Sequence, residues 1–162
     1  MPAKSIGHIR LDDKSVLRRS PEIEAERRIA IADLEHDNVF EPIIPLEGAA
    51  GDILSLALRI EDDRLVFVIE DEAQSELGCF SISLKPFRRL VKEYFLICES
   101  YFEALHGAEP EKLQAIDMGR RGLHNDGAEL LVERLKTKAR IDLATARRLF
   151  TLLSILHIRP NP

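Results

Sequence analysis

Leu54-Ser55-Leu56-Ala57-Leu58-Arg59-Ile60, Asp62-Asp63 and Leu65-Val66-Phe67-Val68-Ile69 together decide the fold of this chain. Apolar side chains at every second position place one face of a strand on a core. Leu54, Leu56, Leu58 and Ile60 keep that period, and Leu65, Phe67 and Ile69 resume it after a two-residue break. Phe80, Ile82 and Leu84 repeat it beyond the polar stretch from Asp71 to Glu76. Connections this short join antiparallel neighbours, because a parallel crossover needs roughly a dozen residues or more. Three strands therefore form an antiparallel meander.

Downstream, at Pro86, the period changes. Phe87, Leu90, Val91, Tyr94, Phe95, Cys98, Tyr101, Phe102 and Leu105 fall at three- and four-residue steps and predict a long helix ending at Gly107. The four aromatics among Tyr94 to Phe102 read as core. Glu109-Pro110 opens a second helical stretch through Leu113, Ile116, Leu123, Leu130 and Leu135, interrupted by Gly119, Gly122 and Gly127. Asp142 is the expected N-cap of a last helix, Leu143 to His157, which is apolar nearly all round and so belongs inside the molecule. Upstream, Ile6 to Leu11 reads as a short strand. Ser20-Pro21-Glu22 reads as a helix start, with Ser20 as cap and a stop near Asp37-Asn38. Val39 to Gly51, with Pro42, Pro45, Gly48 and Gly51, reads as a loop. The expected fold class is α+β: an antiparallel meander of at least three strands packed with four or five helices, the C-terminal helix central, in one domain over residues 1–162.

A chain of 162 residues can bury a proper core and needs no staples. Cys79 and Cys98 form no CxxC, and zinc would need more ligands, so free and mostly buried thiols of a cytoplasmic protein are expected, with no metal and no cofactor. Met1 to Arg10 lacks the apolar core of a signal peptide. The longest apolar run, near Phe150 to Ile158, is far shorter than the roughly 20 residues of a membrane span. Residues 1–76 carry 9 Lys/Arg against 18 Asp/Glu, and residues 77–162 carry 14 against 10. The basic half suits an anionic partner, while the acidic half opposes indiscriminate nucleic-acid binding. Arginine outnumbers lysine 16 to 7 and occurs in five adjacent pairs, from Arg18-Arg19 to Arg147-Arg148. It is the residue suited to bidentate carboxylate and phosphate contacts.

The chain holds no Walker loop, GxGxxG, HExxH, GxSxG or EF-hand loop. Gly48-Ala49-Ala50-Gly51 precedes a strand, so it is no phosphate loop. His8, His36 and His106 are isolated, and His157 reads as a helix C-terminal partner. The informative segment is Ile116 to Gly127. If helical, it places Asp117, Arg121 and His124 on one face, with Arg120 beside them and Ile116, Leu123 and Leu130 toward the core. Asp117, Arg120, Arg121, His124 and Asn125 then form a candidate ligand-binding cluster for a phosphate, a carboxylate or an acidic partner. His124 is available as acid or base, but no catalytic residue is assigned. The competing account is an Asp117–Arg121 ion pair, with glycines admitting a close helix or breaking the segment into a turn. Read as a loop, Gly119-Arg120-Arg121-Gly122 resembles the GxxG loop of KH domains, which clamps single-stranded nucleic acid, although Asn125 stands where that pattern wants an apolar residue. The Arg120 and His124 pair also resembles HEPN-type ribonucleases, whose all-helical fold does not fit a meander.

Arg18-Arg19-Ser20-Pro21, Pro86-Phe87-Arg88-Arg89, Ile116 through Asn125 and Thr145-Ala146-Arg147-Arg148-Leu149-Phe150 together resemble UPF0262, a bacterial family of uncharacterised proteins, over nearly the full length. The resemblance implies no activity and carries over no functional residue. Two function classes follow. The first is a non-catalytic interaction or regulatory module with a protein partner, compatible with a homodimer. The second is a binder of an anionic ligand (RNA, nucleotide or phosphometabolite) through Arg120, Arg121 and His124, with weak hydrolytic chemistry at most. Nucleic acid is open but not favoured, and no membrane is expected.

Overall fold

The computed structural model describes residues 5–12, 21–47 and 53–157. Ser20, Arg18-Arg19 and Gly48 to Gly51, which the sequence singles out, lie outside them. The described elements are β1 (Ser5–Leu11), α1 (Pro21–His36), β2 (Phe40–Pro42), β3 (Ile53–Glu61), β4 (Arg64–Glu70), β5 (Glu76–Ser83), α2 (Arg88–Ala104, entered through a 3-10 turn at Lys85–Phe87), α3 (Pro110–Leu135), β6 (Ala139–Ile141) and α4 (Leu143–His157).

The meander is as the alternation requires. β3, β4 and β5 pair antiparallel in sequence order. Asp62 and Asp63, at φ 50° and 61°, make the tight turn between β3 and β4, the left-handed pair whose twist suits a two-residue hairpin. Asp63 is further fixed by its carbonyl, which accepts from Leu84 N at 3.0 Å, and by an ion pair with Arg88. One face of the sheet carries Leu54, Leu56, Leu58, Leu65, Phe67, Ile69, Phe80 and Ile82, all buried. Phe67 stacks on Phe80 with centroids 4.7 Å apart.

β1 joins the meander beside β3, and it runs parallel to it. Its outer edge is blocked by side chains from the end of α1. Asn38 Oδ1 accepts from Ile6 N at 2.7 Å, and its Nδ2 donates to Ile6 O at 2.6 Å and to Leu34 O at 2.7 Å. Glu35 Oε2 accepts from Ile9 N at 3.2 Å and pairs with His8 Nδ1 at 3.0 Å, so His8 is not isolated. These side chains take the backbone groups that a further strand would otherwise use. Arg10 Nη2 reaches both carboxylate oxygens of the buried Glu70, at 2.9 and 3.1 Å.

The structure corrects three expectations. Val39 to Gly51 is not all loop: Phe40–Pro42 pairs antiparallel with Ala139–Ile141 in a second, two-stranded sheet. The pairing delivers Phe40 to the ring of Phe67, at 6.5 Å. Cys79 is exposed, because it sits on β5 between the inward Phe80 and the small Gly78; only Cys98 is buried. Lastly, α3 is unbroken through all three of its glycines, so Gly119 to Gly122 is mid-helix and the KH-type loop does not exist.

α4 is the central helix, with Thr145, Ala146 and every residue from Leu149 to Ile155 buried. Asp142 caps it, its Oδ1 accepting from Thr145 N at 2.8 Å. α1 and α3 flank it, and α2 packs on α3 and also reaches α4, where the Tyr94 ring meets Phe150 at 5.5 Å.

Candidate anion-binding face

α3 starts cleanly. Glu109 is extended, Pro110 occupies the first turn, where its missing N–H costs nothing, and Glu111 favours the positive helix end. The two glycines that touch a neighbour explain how α3 sits between α2 and α4. A Cβ on Gly119 would lie 2.6 Å from Ile97 Cδ1, and one on Gly127 would lie 2.5 Å from the Phe150 ring. Gly122 meets nothing within 4 Å.

Helical geometry brings Asp117, Arg120 and Arg121 together, but with different roles. Asp117 serves both arginines: Oδ1 accepts from Arg120 Nη2 at 2.9 Å, and Oδ2 lies 3.1 Å from Arg121 Nε. The Arg120 side chain is 23% exposed and that of Arg121 is 76% exposed. Arg120 is the inner cation. Its guanidinium lies 4.1 Å over the Tyr101 ring, and Nη1 is 3.8 Å from Glu26 of α1. Burial opposes its charge, but the Asp117 hydrogen bond, together with the charge interactions with Cys98, Tyr94 and Asp117, outweighs burial and holds the guanidinium above its usual range. Arg121 reaches outward, and among the described residues only its Nε is paired.

His124 and Asn125 turn toward α4. His124 Nε2 lies 2.7 Å from Arg147 O and 3.0 Å from Thr151 Oγ1. A carbonyl only accepts, so Nε2 carries the proton. The ring stacks on Tyr94 at 5.5 Å and tilts against Phe150 at 6.1 Å. Burial pushes its pKa below 6.5, Arg147, Arg120 and Arg148 push the same way, and the bond to the Arg147 carbonyl opposes them. The imidazole, with its charged form disfavoured, ties α3 to α4. Beside it, Asn125 Oδ1 accepts from Arg147 Nε at 2.8 Å. Adjacent residues of α3 thus grip Arg147 at its backbone and at its side chain.

Arg147 is the residue that sequence reasoning left out of the cluster. It lies 22 residues beyond Asn125 on another helix, and no spacing rule joins the two. Its sequence signals are its place in the Arg147-Arg148 pair and in the Thr145-to-Phe150 stretch. Arg148 itself turns back, with Nη1 donating to Ala144 O at 2.9 Å and Nε 3.6 Å from Asp33. Ile116, Leu123 and Leu130, expected toward the core, are half-buried; Gly127, Ala128, Leu131 and Leu135 form the buried line of α3.

Behind this face lies a buried polar contact set. The Tyr94 hydroxyl meets Thr151 and Cys98, and burial raises the Tyr94 phenol and pushes the Cys98 thiol up to about 11. Glu26, Tyr94, Cys98 and Thr151, with apolar neighbours, line a cavity of about 20 Å³, room for one water. A groove of about 450 Å³ lies between α2 and α3, lined by Ile97, Ser100, Glu103, Ala104, Lys112 and Ile116 among others. Arg120, Arg121 and His124 do not line it. Among the described residues no His/Cys/Asp/Glu group is placed to hold a metal, and no helix is long and apolar enough to cross a membrane.

The fold is α+β, with arginines presented from a helical layer. The chain belongs to UPF0262, described as an uncharacterised protein family, whose model matches residues 3–159. It is 50% identical over 149 residues to a UPF0262 protein of Nitrobacter hamburgensis, covering 92% of this chain and 88% of that one. It is 48% identical over 153 residues to one of Nitrobacter winogradskyi, covering 94% and 89%. To one of Rhizobium meliloti it is 47% identical over 147 residues, covering 91% and 90%. No solved structure matches the chain.

Proposed function

We propose that this protein is a non-catalytic binding module that engages an anionic group through the α3–α4 face, with Arg121 and Arg147 as the contacting cations. Asp117 and Asn125 hold those two guanidinia, Arg120 braces Asp117 against α1 and α2, and His124 fixes α3 to α4. The observation that carries the reading is the partner of Arg147. Its Nε is held by a neutral amide, and no carboxylate among the described residues pairs with it. A purely structural arginine at a helix junction gains most from an acid. An amide fixes the side chain and leaves its charge available. Both acid–base groups of the face are committed, His124 to a carbonyl and Asp117 to two arginines, which favours binding over hydrolysis. The same reading places the protein in the cytoplasm, in keeping with two free cysteines.

Thermal unfolding of wild type, Arg121→Ala and Arg147→Ala with phosphate, nucleotides, short RNA and an acidic peptide tests this. At least one anion should raise the wild-type melting temperature, with the rise lost in both variants. A large stability loss in Arg121→Ala, with no anion stabilising wild type, would mean that the cluster only pairs with itself.

A further inference from the structure

We infer that the group bound at Arg121 and Arg147 is a phosphate monoester in its dianionic form, whether free or carried on a peptide side chain; this rests on the reading above. Both guanidinia are tethered through Nε, Arg121 to Asp117 Oδ2 at 3.1 Å and Arg147 to Asn125 Oδ1 at 2.8 Å. No described residue takes their terminal amines. Each therefore keeps its Nη1–Nη2 fork for a ligand. Arg121 and Asn125 lie one turn apart on one side of α3, but the tethers Asp117 and Asn125 are about two turns apart, so a ligand held by both forks sits between them across that side of the helix.

The ligand class follows from counting acceptors and charge. A carboxylate has two oxygens in one plane and one charge, which one fork satisfies. A phosphodiester has two free oxygens and one charge. A monoester dianion has three oxygens in tetrahedral array and close to two charges near neutral pH, which matches two forks on different helices. The local balance points the same way. Asp117 is shared by two arginines, and Arg147 has only an amide. Of the acids that follow in α3, Asp126 lies about 100° around the helix from Asn125, and the exposed Glu129 lies one turn beyond Asn125 on its side.

Among the described residues no exposed aromatic face lies beside the forks to select a nucleotide. Binding of single-stranded nucleic acid relies on exposed aromatic faces. Tyr94 is buried, and the Tyr101 ring lies under the Arg120 guanidinium.

The test is calorimetric titration at about pH 7.5, where the second ionisation of a monoester is nearly complete. The probes are methyl phosphate, dimethyl phosphate, malonate, and a phosphoserine peptide with its unphosphorylated form. Methyl phosphate should bind wild type at least about tenfold more tightly than dimethyl phosphate or malonate. Asn125→Asp gives Arg147 a carboxylate, so it should lose about tenfold or more in methyl phosphate affinity while its melting temperature holds or rises. Arg147→Gln should lose as much. A phosphopeptide that binds more tightly than methyl phosphate would place the monoester on a protein partner; equal affinity would place it on a small metabolite. Equal binding of methyl and dimethyl phosphate, or a match by malonate, overturns the monoester assignment and leaves the anion reading standing. No binding by any probe overturns both.

Discussion

Arg147 Nε donates to Asn125 Oδ1 at 2.8 Å, while the Arg147 carbonyl accepts from the imidazole of the preceding residue, His124, at 2.7 Å. Two consecutive side chains of α3 therefore set both the place of the α4 backbone and the direction of one arginine. A rigidly held cation binds an anion better than a free one, because less side-chain entropy is lost on binding.

His124 gives the fold a pH dependence of known sign. Its folded pKa is lowered, so the unfolded chain takes the proton more readily. Its contribution is intact above 6.5, the unfolded value, and declines as pH falls from there toward the folded value. Urea unfolding at about pH 7.5 and about pH 5.5 should show lower stability at the acid end. His124→Phe keeps a ring beside Tyr94 and removes the titration, so it should flatten that slope and cost about 1–2 kcal/mol at neutral pH. An unchanged slope in the variant would place the acid sensitivity elsewhere.

The three glycines of α3 should respond differently to alanine. Gly122 faces open space, so Gly122→Ala should stabilise by about 0.5–1 kcal/mol through helix propensity alone. Gly119 meets the tip of a flexible isoleucine, and its change should be nearly neutral. Gly127→Ala drives a methyl into the fully buried Phe150 ring and should cost about 1–3 kcal/mol. Melting temperatures that rise for all three would contradict the close packing of α3 on α4.

These elements also show what the chain reveals before folding. The meander is legible because alternation in β3, β4 and β5 is local. The direction of β1 is not, since alternation is the same in either direction and its partner is 48 residues away (Ser5 beside Ile53). β2 and β6 are three residues each, too short to show a period, and they exist because they pair. Glycine penalises an isolated helix, so three of them mark breaks in the pattern of α3; packing against α2 and α4 overrides that. Within the site, the link from Asp117 to Arg120 and Arg121 follows from helical spacing. The inward turn of Arg120 and the grip on Arg147 depend on which helices lie alongside.

Asn38 stands in for a strand at the edge of β1. Asn38→Ala leaves the N–H and C=O of Ile6 without partners and frees Leu34 O. The expected loss is about 2–3 kcal/mol, with early hydrogen exchange at Ile6. Wild-type protection at that amide would show that β1 needs no such support.

The two thiols should separate cleanly. Cys79 is exposed, whereas Cys98 is buried with its pKa pushed up to about 11. Native protein should release one equivalent of chromophore quickly with a disulfide reagent, and denatured protein two. Fast labelling of both in the native state would mean that the α2–α4 packing opens readily.

The central claim is that Arg121 and Arg147 contact an anion. It is tested most directly by following the arginine Nε–Hε signals in nitrogen-15 spectra while methyl phosphate is added. The account predicts saturable shifts of Arg121 and Arg147, little change at the Tyr101-stacked Arg120, and loss of the Arg121 shift in Arg147→Gln. Shifts that stay linear to high phosphate, or that fall on other arginines while Arg121 and Arg147 remain still, would contradict it.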